Sequence, residues 1–144
     1  MKQINIEDFF TADNEVSGIW FEPKIKTRNG ILEPCGLEFL VTGKDTDENI
    51  AASERYEKQS AELNDLKDPV EKAKKGKELD ARRVAEFVKS MRVTEGYKVN
   101  FGGKQIEYTP ELVYQILLKA PLIKDEIIKF VLDTANFIKR EKNA

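Results

Sequence analysis

Leu37-Glu38-Phe39-Leu40-Val41-Thr42-Gly43 places apolar side chains at 37, 39 and 41 and ends on a glycine. This is the period-two pattern of a strand with one face turned inward. Upstream, Val16 to Phe21 is a second β-rich stretch, and Asn29-Gly30 lies between the two. Asn-Gly is a strong hairpin signal, because both residues tolerate the positive φ that a type I′ turn demands. Pro23 and Pro34 each remove a ladder donor, so pairing is expected to break near the turn or to lie at a sheet edge. Ahead of the hairpin, the first segment reads as a short helix that ends near Asp13 and Asn14. Asn5 is its expected cap, Glu7 and Asp8 lie in its positive first turn, and Phe9 and Phe10 supply its apolar surface.

Downstream of Gly43 the pattern turns helical. Asp45-Thr46-Asp47-Glu48 has capping-box spacing between Asp45 and Glu48, and the helix it opens, Ile50 to Leu66, is polar enough to lie on the surface. Asp68-Pro69-Val70-Glu71 offers a second start, with a cap and proline at the first helical position. Val84, Phe87, Val88 and Met91 fall at i, i+3, i+4 and i+7, which predicts one apolar helical stripe ending before Gly96. Gly76, amid Lys72, Lys74, Lys75 and Lys77, is an expected weak point between the two helices. Val99 and Phe101 before Gly102-Gly103, with Ile106 and Tyr108 after it, predict a small second hairpin. Thr109-Pro110-Glu111 starts a short helix through Lys119 that Pro121 stops, and a last helix is expected from Leu122 to Lys139. The expected fold is therefore a single α+β domain over 1-144, with an N-terminal β-hairpin or small antiparallel sheet (1-44). A mainly helical C-terminal region (45-144) follows, with a small hairpin near 97-108.

The last helix carries more apolar surface than one layer uses. Ile123, Ile127, Phe130, Val131, Phe137 and Ile138 share one face. Ile128, Leu132 and Ala135 widen it to roughly 220° of arc, against the ~100° that packing on one core requires. Either the helix lies between two layers of its own fold, or Ile128, Leu132 and Ala135 face a groove-binding or helical partner. Trp20, Phe21, Phe9 and Phe10 pose the same choice between core anchor and binding hot spot.

Composition narrows the chemistry. With 24 basic and 26 acidic side chains in 144 residues the net charge is -2, so no global field draws the chain to nucleic acid or an anionic membrane. Histidine is absent, and with it the commonest general base and metal ligand. The single cysteine, Cys35, forms no intrachain disulfide and fits a reducing compartment, where it reads as a small strand residue. Six residues separate Gly36 from Gly43, and Asp45 follows Lys44 where a phosphate loop needs Ser or Thr. Asp45, Asp47 and Asn49 imitate a calcium loop, but Ile50 replaces its glycine and Tyr56 its bidentate acid. The lysines around Gly76 alternate with Glu71 and Glu78 and read as a solvated helix face. No catalytic, cofactor-binding or metal-ligating residue is expected, and the chain is read as a non-enzyme. Met1 to Asn14 holds no apolar run of signal-peptide length, and no window approaches the ~20 apolar residues of a membrane span. A cytoplasmic location is expected.

Three stretches and their order carry a family resemblance. They are Leu37-Glu38-Phe39-Leu40-Val41-Thr42-Gly43-Lys44-Asp45, then Val99-Asn100-Phe101-Gly102-Gly103-Lys104-Gln105-Ile106-Glu107-Tyr108-Thr109-Pro110-Glu111-Leu112, and finally Ile127-Ile128-Lys129-Phe130-Val131-Leu132-Asp133-Thr134-Ala135-Asn136-Phe137. With a highly charged helical middle between the first two, this pattern resembles the tail assembly chaperones of long-tailed bacteriophages and prophages. The resemblance implies a non-enzymatic, transient assembly factor in the bacterial host cytoplasm, absent from the mature virion. Its implied client is the tape measure protein, with the tail tube protein as a second, kept soluble until the tube polymerises. It implies no cofactor and no nucleic-acid or membrane partner, and a homo-oligomer is compatible with it. The rival classes are a structural virion component such as a head-tail connector, and a small prophage regulatory or nucleic-acid-binding protein.

Overall fold

Phe39 and Val41 have no solvent exposure and Leu37 has 3%, so the strand around which the sequence was read is the middle of the molecule. In the computed structural model, which describes residues 1–139, this strand (β4, Leu37–Val41) lies between two antiparallel neighbours. One is β1 (Ile19–Phe21), paired Ile19 to Val41 and Phe21 to Phe39. The other is β5 (Val88–Val93), paired Leu37 to Val93 and Phe39 to Met91. Before β1, Ile6–Phe9 is a 3-10 turn and α1 spans Ala12–Ser17. Beyond β1 the chain continues into a two-stranded ladder, β2 (Lys24–Lys26) with β3 (Leu32–Pro34). The Asn29-Gly30 turn closes it, with Gly30 at φ +77° and its N–H donating to Thr27 O at 2.9 Å. Pro23 and Cys35-Gly36 form the break between this ladder and the three-stranded sheet.

Between β4 and β5 run α2 (Asp47–Glu62) and α3 (Pro69–Ala85). After β5 come the hairpin β6 (Asn100–Phe101) and β7 (Lys104–Gln105), then α4 (Pro110–Lys119) and α5 (Pro121–Leu132). Three of the helices are capped by polar side chains. Thr46 Oγ1 accepts from Asn49 N–H, Asp68 Oδ1 from Val70 N–H, and Thr109 Oγ1 from Leu112 N–H, each near 3 Å. Val84, Val113, Leu117, Ile127 and Val131 from α3, α4 and α5 join Leu37, Phe39, Val41, Val88 and Met91 of the sheet in one core. Each such fully buried side chain contributes about 1.5–3 kcal/mol relative to exposure. Phe21 stacks on Phe130 at 4.3 Å between ring centres, and Phe130 meets Phe137 edge-on, tying β1 to the C-terminal segment.

This architecture corrects the expected order of an N-terminal sheet followed by a helical region. Strands are interspersed with helices along the chain, and β5, the second partner of β4, arrives only after α2 and α3. The stripe Val84, Phe87, Val88, Met91 is not one helix: α3 stops at Ala85 and the last two residues belong to β5. The reason is a bulge. Leu40 pairs with Ser90 but Val41 pairs with Val88, so Lys89 is the extra residue. The bulge turns Val88 and Met91, three apart, to the same core face at 6% and 5% exposure, imitating a helical period.

Smaller corrections follow the same logic. Asn5 makes no side-chain cap, and the helix of the N-terminal segment lies over Ala12–Ser17, so β1 begins at Ile19 rather than Val16. The cap of α2 is Thr46, not Asp45, and α3 passes through Gly76 without interruption. The last helix ends at Leu132, where Asp133 adopts an extended conformation and its carboxylate accepts from Ala135 N–H to open a 3-10 turn, Thr134–Phe137.

Candidate partner-binding groove

Three helical faces converge on one open trough. From α2 come Ile50, Ser53, Glu54 and Glu57, spaced i, i+3, i+4 and i+7. From α3 and the residues just after it come Asp80, Arg83, Val84 and Phe87, with the same spacing. From α5 come Lys124, Ile128 and Leu132, one turn apart along the helix, and Asp125 beside Lys124. The volume between them is about 560 Å³. Val84 and Phe87 are nearly covered and form the floor, Ile128 is half-buried against the core, and Ile50 of α2 and Leu132 of α5 line the trough at 52% and 60% exposure.

The two long walls are fixed by different means. The α5 wall is seated by Ile127 and Val131, which are buried on its inner side, and by Lys124, whose ammonium donates to the Asp80 carboxylate of α3 and lies 3.7 Å from Asp125. The α2 wall is seated by a buried polar knot. Asn49 Nδ2 donates to Thr42 Oγ1 at 2.9 Å and to Gly43 O at 2.6 Å, while Thr42 Oγ1 donates to Phe87 O at 2.9 Å. Gly43 is required here. A Cβ at this position would lie 2.2 Å from Glu15 Cγ, and the Gly43 N–H donates to Glu15 O. Glu15 is itself 6% exposed, with Thr11 Oγ1 donating to its carboxylate at 3.0 Å.

Charge is unevenly distributed around the trough. Its lining includes five carboxylates, at 45, 54, 57, 80 and 125, against three cations, Lys44, Arg83 and Lys124. Lys44 pairs with Asp45 at 3.0 Å, and Lys124 is shared between Asp80 and Asp125, which leaves Glu54 and Glu57 of α2, with Arg83 of α3, as the lining charges in no ion pair among the described residues.

Of the residues singled out in the sequence, Ile128 and Leu132 meet in this groove and Ala135 does not, since it lies beyond the Asp133 break on the 3-10 turn. Sequence reasoning missed the opposite wall. Ile50 was visible as an apolar residue on an otherwise polar helix, but nothing local places it opposite α5. Among the four aromatic candidates, Phe21 is packed and Phe9 and Phe10 are exposed. Trp20 lies on the outer sheet face beneath the Arg92 guanidinium at 3.9 Å, and Arg92 also pairs with Glu38 at 2.7 Å.

Elsewhere the polar groups bind the helices together. Arg55 grips the Glu86 carboxylate with both contacts at 2.9 Å, Tyr56 OH donates to the same carboxylate at 3.0 Å, and Arg82 lies 3.6 Å over the Tyr114 ring while pairing with Glu111. Burial and then the Glu86 carboxylate push the Tyr56 phenol above its ordinary range, and the hydrogen bond from Arg82 holds Glu111 below the usual carboxylate range. Cys35 sits at the break between β3 and β4 rather than within a strand. Burial raises its pKa, which reduces the reactive thiolate fraction. No helix among the described residues is long and apolar enough to cross a membrane. Comparison with known protein-family models, with curated proteins and with solved structures finds no match to this chain.

Proposed function

We propose that this protein is a non-catalytic binding protein that holds an apolar helical segment of a partner in the groove between α2 and α5. The observation that carries this reading is Leu132, a large apolar side chain 60% exposed and directed, with Ile128 and Ile50, into a trough whose floor is already buried. Side-on docking of an amphipathic helix is the recognition mode such a trough supports. For the partner, the sequence pattern supports the tail assembly chaperone reading: the client is the tape measure protein of a long-tailed phage, with the tail tube protein as a second. The protein acts in the host cytoplasm and leaves before the virion is complete. A holdase of this kind needs accessible apolar surface on a highly charged body, and a chain with 35% charged residues and the α2–α5 groove combines the two.

Co-expression with the tape measure protein, scored for soluble recovery and co-purification, tests this directly. The expected result is a soluble complex that Leu132→Asp weakens. Unchanged client solubility with no co-purification removes the tail reading, and finding the chain in purified virions favours the connector class instead.

A further inference from the structure

We infer that the occupant of the α2–α5 groove is a basic amphipathic helix, with two apolar residues one turn apart flanked by lysine or arginine. This rests on the reading of the groove as a helix-docking site and adds the chemistry of what docks. The α2 wall from Ile50 to Glu57 runs about 10 Å, so two turns of a helix lie along it. Ile128 and Leu132, at i and i+4, present ridges that a matching apolar pair on the occupant fills. Glu54 and Glu57 line the groove from α2, while Asp125 lines it from α5 with Lys124 3.7 Å away. Neither Glu54 nor Glu57 is in an ion pair among the described residues. Cations on the shoulder of an incoming helix that faces α2 pair with Glu54 and Glu57, whereas acidic residues there meet like charge as they are desolvated. The same charge argument disfavours a second copy's exposed N-terminal segment as the occupant, because its apolar residues Ile4, Ile6, Phe9 and Phe10 are interleaved with Glu7 and Asp8.

The test uses the full chain and two fluorescein-labelled synthetic helices of about 18 residues, long enough to hold helical structure. They share one leucine stripe and differ only in lysine or glutamate at the flanking positions. Fluorescence anisotropy in low salt is expected to show the lysine peptide binding about tenfold or more tighter, with the gap narrowing as salt rises. In the doubly substituted E54K/E57K protein, whose changes fall on exposed positions, the preference is expected to shrink or reverse while the thermal midpoint stays in place. Leu132→Asp is expected to weaken both peptides. Equal affinities, a preference unmoved by E54K/E57K, binding that survives Leu132→Asp, or no binding by either peptide would each overturn the inference. If the lysine peptide binds as described but the tape measure protein does not co-purify, the tail reading fails and the groove's preference stands.

Discussion

Val131 and Leu132 are neighbours on α5 and alike in size and polarity, yet Val131 is 1% exposed and Leu132 is 60% exposed. One step of 100° around the helix axis separates a side chain sealed within the core that also holds Val84, Leu117 and Phe39 from one that lines the groove. The contrast shows that a wide apolar arc is two surfaces with different surroundings. Ile127 and Val131 bind α5 to its own core, Ile128 sits at the boundary, and Leu132 is what remains when that core is full. Composition alone cannot tell the halves apart; only the position of α3 and the sheet beneath α5 does.

The comparison is broken most violently by placing the same charge on each half. Val131→Asp puts a carboxylate where no water and no cation can reach it, at a cost of several kcal/mol against a total stability of about 5–15 kcal/mol. The expected outcome is loss of the cooperative thermal transition by circular dichroism. A fold that tolerates the change would mean that α5 is not seated as described.

Asn49→Ala strikes the opposite wall. It removes the donor that bridges Thr42 and the Gly43 carbonyl, leaving buried acceptors short of partners at about 1–3 kcal/mol. Urea denaturation reads the loss. Because Asn49 precedes Ile50, amide exchange in α2 is expected to quicken more than in α4, so the α2 wall loosens while the α5 wall holds.

The two walls also differ in how readily the sequence disclosed them. Caps and turns were legible because each is a local event: Asp68-Pro69, Thr109-Pro110 and Asn29-Gly30 need only a few neighbouring residues to satisfy their hydrogen bonds. Ile128 and Leu132 were legible for the same reason, as excess on one helix. The third strand was not. Val88 and Met91 fit a helical period because the bulge at Lys89 shifts the strand by one residue, and only the empty edge of β4, some 45 residues away in sequence by the Thr42 to Phe87 bond, decides between the two. Once β5 was read as helix, the path of α2 and α3 back to the sheet was lost, and Ile50 with it. The end of α5 at Leu132 was hidden too, since Asp133 acts as a cap only for the turn that follows it.

A milder perturbation separates the base of α2 from its groove face. Tyr56→Phe deletes the hydrogen bond to Glu86, leaves the ring packed, and is expected to cost about 1 kcal/mol at neutral pH. Its signature is in the pH dependence. The folded state holds the Tyr56 proton above the ordinary phenol pKa, so as pH climbs through about 10 the unfolded chain loses its proton first. With fewer protons bound in the unfolded state, native stability falls as pH rises from there towards the folded-state pKa. The Phe variant is expected to show a shallower alkaline decline in urea titrations between pH 9 and 11, on the order of one proton's worth of slope. An identical slope would assign the alkaline loss to other groups.

The smallest effect on stability is the most informative for function. Leu132→Asp places a carboxylate on a position already open to water, and such surface changes ordinarily stay within about 0.5 kcal/mol. Its thermal midpoint should therefore sit near that of the parent while capture of a helical partner falls. Ile128→Asp is a poorer probe, because Ile128 also packs against the core and its substitution mixes the two duties of α5. Ala135→Asp completes the set. It lies past the break at Asp133, outside the groove, and should leave both stability and capture unchanged. If Leu132→Asp unfolds the protein as Val131→Asp does, the two faces of α5 are one core. If it binds partners as well as the parent does, the exposed half of the helix has no role in adhesion.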